Sequence, residues 1–95
     1  MSFAQQVVWI TGASAGIGEA LALAFARQGA RLVVSARNAA ALERVRAACA
    51  PAEVLVVPLD LADMASHAAA VERVLAHFGR LDVLVNNAGL SQRSL

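Results

Sequence analysis

Residues 7–18 read VVWITGASAGIG, and the reading of this stretch decides the fold. Val7-Val8-Trp9-Ile10 is an apolar run with no polar alternation. Closed by Thr11-Gly12, it predicts a short strand buried on both faces. Gly12, Gly16 and Gly18 follow in G-x3-G-x-G spacing. Then Ile17, Leu21, Ala24, Phe25 and Gln28 recur at helical spacing, and Gly29 stands where a helix is closed by glycine. A buried strand, a glycine turn and a helix are the first half of a strand-helix-strand unit.

Working outward, the pattern repeats. Arg31 to Ala36 predicts a second strand. Asn38 caps a helix carrying Leu42, Val45 and Cys49, and Pro51 marks its end. Val54 to Leu59 predicts a third strand. Asp63 or Ser66 caps a helix with Val71, Val74, Leu75 and Phe78, stopped by Gly79. Leu81 to Asn86 predicts a fourth strand. Strands apolar on both faces, alternating with helices, belong to a parallel sheet covered by helices. Right-handed crossovers then favour strand order 3-2-1-4, the N-terminal part of a doubly wound α/β sheet. Two helices should cover one face and one helix the other. The fourth strand should be left with an open edge, and Val83, Leu84 and Val85 with part of their cover missing. Residues 1–95 are expected to form half of a single domain. The strand order reverses between strands 1 and 4, and ligands bind at such a switch point. The turn TGASAGIG and the segment NNAG should therefore converge there.

Composition narrows the functional classes. Hydrophobic residues make up 59% of the 95, yet no apolar run approaches the ~18 needed to span a membrane. Net charge is +1 with scattered charges, which argues against a nucleic-acid stripe. Cys49 is the one cysteine, so no disulfide or cysteine metal site is expected within the chain, and a buried helical thiol is the plain reading. MSFAQQ carries no basic leader region, so the expected location is cytoplasmic. His67 and His77 read as half-buried or solvated helix positions. Glu43, Arg44, Arg46, Glu72 and Arg73 read as solvated faces.

Three glycines directly after a buried strand favour phosphate binding over a merely structural turn, which needs one. Glycine lets the backbone approach a ligand, and free N–H groups at a helix N-terminus attract a pyrophosphate. The spacing is neither G-x-G-x-x-G nor a lysine-bearing Walker loop. Thr11-Gly12-Ala13-Ser14-Ala15-Gly16-Ile17-Gly18 resembles the TGxxxGxG motif of classical short-chain dehydrogenases/reductases. Asn86-Asn87-Ala88-Gly89 resembles that family's NNAG motif, and Asp60-Leu61 its adenine-binding position. Within the family, VWITGAS-x-GIGEALA with SQRSL after NNAG most resembles the dehydrogenase/reductase member 7 branch.

The resemblance implies a Rossmann-type fold and a set of cofactor contacts. Gly12, Gly16 and Gly18 would form the pyrophosphate turn, with Ile17 near the nicotinamide. Asp60 and Leu61 would meet adenine, although Asp60 also reads as a cap or turn residue. Asn87, Ala88 and Gly89 would line the adenosine ribose with backbone, while Asn86 braces the sheet. NAD-binding members carry an acid at the end of strand 2. In this sequence Ala36 stands there, followed by Arg37, a fixed cation whose planar fork suits a 2′-phosphate. Ser14 can add a hydroxyl. NADP(H) is therefore the expected cofactor, although Ala15 stands where many NADP-binding members have Arg or Lys.

The family's catalytic Tyr and Lys come from a Tyr-x3-Lys motif, and these 95 residues contain neither type. The expectation is the N-terminal, cofactor-binding half of an NADP(H)-dependent oxidoreductase that interconverts a small carbonyl and alcohol. The complete protein is expected to be a homo-oligomer, with no nucleic-acid or membrane partner. The alternative is a nucleotide-binding or structural module without chemistry. A methyltransferase would leave NNAG and Arg37 unexplained.

Overall fold

The computed structural model describes residues 3–60 and 62–87. Its elements run β1 (Val7–Thr11), α1 (Gly16–Arg27), β2 (Arg31–Ser35), α2 (Ala39–Cys49), β3 (Val54–Val56), α3 (Met64–Phe78) and β4 (Val83–Asn86). The four strands are parallel and ordered β3-β2-β1-β4. This is the predicted half of a doubly wound sheet.

The period of two along β1 and β2 sends side chains to both faces, and both faces are covered. Val8, Ile10, Leu32 and Val34 pack with Ala22 of α1 and Leu42, Val45 and Cys49 of α2. Val7, Trp9 and Val33 pack with Val57, Leu59 and, from α3, Ala70 and Val74. Two helices thus lie on one face and one on the other, as right-handed crossovers require. Ser35 is buried inside the strand because its hydroxyl accepts from Trp9 Nε1 at 2.8 Å.

The helices begin and end on the residues suited to it. Asn38 Oδ1 accepts from Ala41 N at 3.0 Å, and Asp63 Oδ1 from Ala65 N at 3.2 Å, each satisfying a donor the first helical turn leaves open. Ser66 is inside α3, and its hydroxyl donates to Asp63 O. Gly29 follows α1 at φ 83°, and Gly79 ends α3 at φ 75°, a region glycine enters without the Cβ penalty.

Three strands are shorter than expected. β2 ends at Ser35, one residue early. β3 ends at Val56, although Val57 N and Leu59 N still donate to Val34 O and Ala36 O at 3.0 Å. Pro58 has no N–H, and only an edge strand tolerates it there. β4 begins at Val83 because Asp82 serves as a staple. Its N donates to Val7 O at 3.0 Å, and its Oδ2 accepts from Val7 N at 2.8 Å. The helical stripes also differ from expectation. On α3, Val74 is buried, but Val71 and Leu75 are 40% and 45% exposed. On α1, Leu21 and Phe25 pack against the core, whereas Ile17 and Ala24 are exposed. In β4, Leu84 is 59% exposed, in accord with the expected missing cover.

Candidate functional site

The carboxyl ends of β1, β2 and β4 meet around one turn. Gly12 and Gly16 have φ of 65° and 62°, so the chain reverses twice between β1 and α1. Ala13 N donates to Ser35 O at 3.2 Å, which ties the turn to the end of β2. On the other side, Asn87 Nδ2 donates to Gly12 O at 3.2 Å, tying it to the end of β4. Thr11 Oγ1 reaches Asn86 Oδ1 at 3.2 Å and Val85 O at 3.4 Å across the same seam. The two motifs expected to converge do so.

Helix α1 differs from its neighbours at its start. Its N-cap is Ala15, whose side chain makes no cap hydrogen bond, while Asn38 and Asp63 cap α2 and α3. Glu19 N closes on Ala15 O at 3.4 Å. The N–H groups of Gly16, Ile17 and Gly18 precede that bond, and a helix leaves such donors without intrahelical partners. A Cβ at Gly16 would meet nothing within 4 Å, so the turn faces open space there. An anion in that space would receive N–H donors and the positive end of the helix dipole. The residues present therefore fit a dinucleotide pyrophosphate. Gly18 serves the interior instead: a Cβ there would overlap Gly12 O and stand 2.8 Å from Asn87 Nδ2.

The other predicted residues surround this turn. Ile17 is 67% exposed on the first turn of α1. Ser14 is half-buried within the turn, and Arg37 is exposed two residues beyond β2, whose end Ala13 N holds. Asp60 is exposed, and it also forms a turn, Oδ1 accepting from Ala62 N at 2.9 Å and its carbonyl from Asp63 N. Asn87 is 4% exposed. Leu61, Ala88 and Gly89 lie outside the described residues.

The side-chain role of Asn87 was missed by sequence reasoning, which assigned only its backbone. No local signal could have found it, because the bond joins residues 75 apart. The remaining candidates lie away from the turn. His77 Nε2 pairs with Glu53 Oε2 at 3.0 Å on the surface. His67 is half-buried, with Nε2 enclosed and without a hydrogen-bond partner. Burial raises the Cys49 thiol pKa, as does the nearby Glu19 carboxylate, which makes it a poor nucleophile. A depression of about 370 Å³ lined by Gln5, Gly29, Arg31, Pro51 and Glu53 lies at the opposite ends of the strands. Among the described residues there is no cluster of metal-ligating side chains, and no helix is long and apolar enough to cross a membrane.

Known proteins share these features. The family model for short chain dehydrogenase matches residues 6–95. Dehydrogenase/reductase SDR family member 7 of Mus musculus is 54% identical over 95 residues, covering 94% of this chain and 28% of its own length. The human protein of the same name is also 54% identical, with the same coverage. The L-sorbose reductase of Gluconobacter frateurii, solved with NADPH and L-sorbose, superposes with a TM-score of 0.87 at 39% identity. That match covers 92% of this chain and 34% of the other. The present chain thus spans under a third of the length of the two member 7 proteins, with a slightly larger share of the sorbose reductase.

Proposed function

Since the chain belongs to the short-chain dehydrogenase/reductase family and is similar to its member 7 branch, we propose that it is the cofactor-binding half of an NADP(H)-dependent oxidoreductase. The reaction is the interconversion of a small carbonyl and an alcohol, in which the dinucleotide supplies or accepts the hydride. Gly12, Gly16 and the first turn of α1 hold the pyrophosphate, and Asp60 and Leu61 hold the adenine. Asn87, Ala88 and Gly89 flank the adenosine ribose, and Ile17 approaches the nicotinamide. The binding of NADPH by the sorbose reductase supports this reading by analogy.

One observation carries the choice of NADP(H) over NAD(H). The end of β2 offers Ala36 and then an exposed Arg37, beside a turn that Ala13 N anchors to Ser35 O. Without an acid, that position neither engages a ribose 2′-hydroxyl nor repels a 2′-phosphate. The guanidinium and the Ser14 hydroxyl supply donors for the phosphate. In the full-length protein, NADPH should bind at least about tenfold more tightly than NADH, or ~1.4 kcal/mol. Arg37→Ala should remove most of that preference while leaving NADH binding nearly unchanged. Fluorescence titration of both dinucleotides checks this. Equal affinities in the wild type, or an unchanged preference in Arg37→Ala, would count against the assignment.

A further inference from the structure

We propose that Asn87 is a positioning residue for the dinucleotide turn, acting through its side-chain amide rather than its backbone. The inference rests on the cofactor reading above and extends it to a residue at the end of β4. Gly12 takes a left-handed conformation, and its carbonyl points into the protein toward the α-carbon of Gly18. A carbonyl placed there needs a donor. Asn87 Nδ2 supplies it at 3.2 Å from a residue that is 4% exposed. The same amide nitrogen would stand 2.8 Å from a Cβ on Gly18. Gly12, Gly18 and Asn87 therefore pack as one unit, with no room for an added methyl.

The consequence is orientational. Ala13 N is held by Ser35 O, and Gly12 O is held by Asn87, so consecutive peptide groups are fixed from opposite sides of β1. With both fixed, the start of α1 cannot rotate, and its open N–H groups keep facing the crevice. Binding then requires little ordering of the turn, and ordering costs affinity. Replacing the donor frees the Gly12 peptide and spends binding energy on restoring it. Asn87 thus tunes affinity for the dinucleotide without touching it through its side chain.

Three variants of the full-length protein test this with NADPH as the probe. Asn87→Leu keeps the bulk and lacks the donor. It should weaken NADPH binding at least tenfold by calorimetry and speed amide exchange of residues 13–19 in the cofactor-free protein. Asn87→Asp has nearly the same shape, but as a carboxylate it only accepts. Facing a carbonyl in a buried place, its pKa is raised, so the protonated acid, which donates, prevails as pH falls. Gly12 and Gly18, which face it, do not titrate, and Glu19 follows on α1. Measured relative to wild type, its affinity should therefore recover between pH 8 and pH 5, whereas a purely steric role predicts no recovery. Binding by Asn87→Leu within twofold of wild type overturns the proposal. So does an Asn87→Asp profile parallel to that of wild type, a result that holds even if Asn87→Leu fails to fold. Gly16→Val, in which Asn87 is untouched, separates the two readings: if it binds like wild type, the pyrophosphate assignment itself fails.

Discussion

Gly16 is the residue at which backbone conformation and ligand access meet. Its φ is 62°, and a Cβ there would enter open space, so nothing in the protein interior demands glycine. The demand comes from the conformation and from whatever approaches the turn. Valine, branched at Cβ, is poorly suited to the left-handed region and would place methyl groups where the pyrophosphate is expected. Gly16→Val is expected to destabilise the fold by about 1–3 kcal/mol. It should also abolish detectable dinucleotide binding. Chemical denaturation and calorimetry on the full-length protein measure the two effects separately. Wild-type affinity in that variant would show that the turn does not receive the phosphates. Gly18 differs in kind. Its α-carbon lies against Gly12 O, so any side chain there disrupts packing before a ligand arrives.

At the scale of elements, the end of the sheet opposite the site is joined by polar contacts. Asp82 bridges β4 to β1 through Val7 N and also accepts from Arg80 Nη2 at 2.8 Å. The Arg80 hydrogen bond, then the Val7 N–H, holds the Asp82 carboxyl below its ordinary range. A lowered folded-state pKa adds stability above the unfolded-state pKa, near 3.9, and that stability is lost as pH falls through the folded-state value. Asp82→Asn should therefore lower the melting temperature at pH 7. The gap from wild type should close as the pH is brought below 3.9. A gap constant across that range would show that Asp82 acts by shape alone.

How much of these elements could be read beforehand follows from the range of each interaction. Asn38, Asp63, Gly29 and Gly79 act within a few residues, so the limits of the helices were legible. The order of strands followed from apolar runs and crossover handedness. The true end of β3 was not legible, because the apolar run continues through Pro58 to Leu59 while the pairing changes. The exposure of Val71 and Leu75 was hidden for another reason: periodicity identifies a helix's apolar positions but not whether a partner lies against them. The glycine turn was legible as a site from spacing alone. Its clamp by Asn87 depends on how β4 comes to rest beside β1, which no local pattern records.

For the whole molecule, the two faces of the sheet are unequally covered. The α1/α2 face encloses its apolar layer. On the α3 face, Trp9 pairs in register with Leu84, which is 59% exposed, and Val71 and Leu75 of α3 are also open. β4 is an edge strand among the described residues. Open apolar patches beside an unpaired edge promote association. The 95-residue segment expressed by itself should therefore run as oligomers or aggregates in size-exclusion chromatography. Leu84→Lys should shift it toward monomer. A monodisperse wild-type segment with a cooperative melt would show that this face needs no further cover.

The Trp9–Ser35 contact has a practical corollary. This segment contains a single tryptophan, placed in the apolar layer between β1 and α3 at 4% exposure, with its indole N–H engaged by a hydroxyl rather than by water. The emission colour of an indole depends on the polarity around it. The segment thus carries a built-in optical gauge at the middle of its sheet: blue emission registers a closed interior, and a red shift registers water reaching β1, with no label attached.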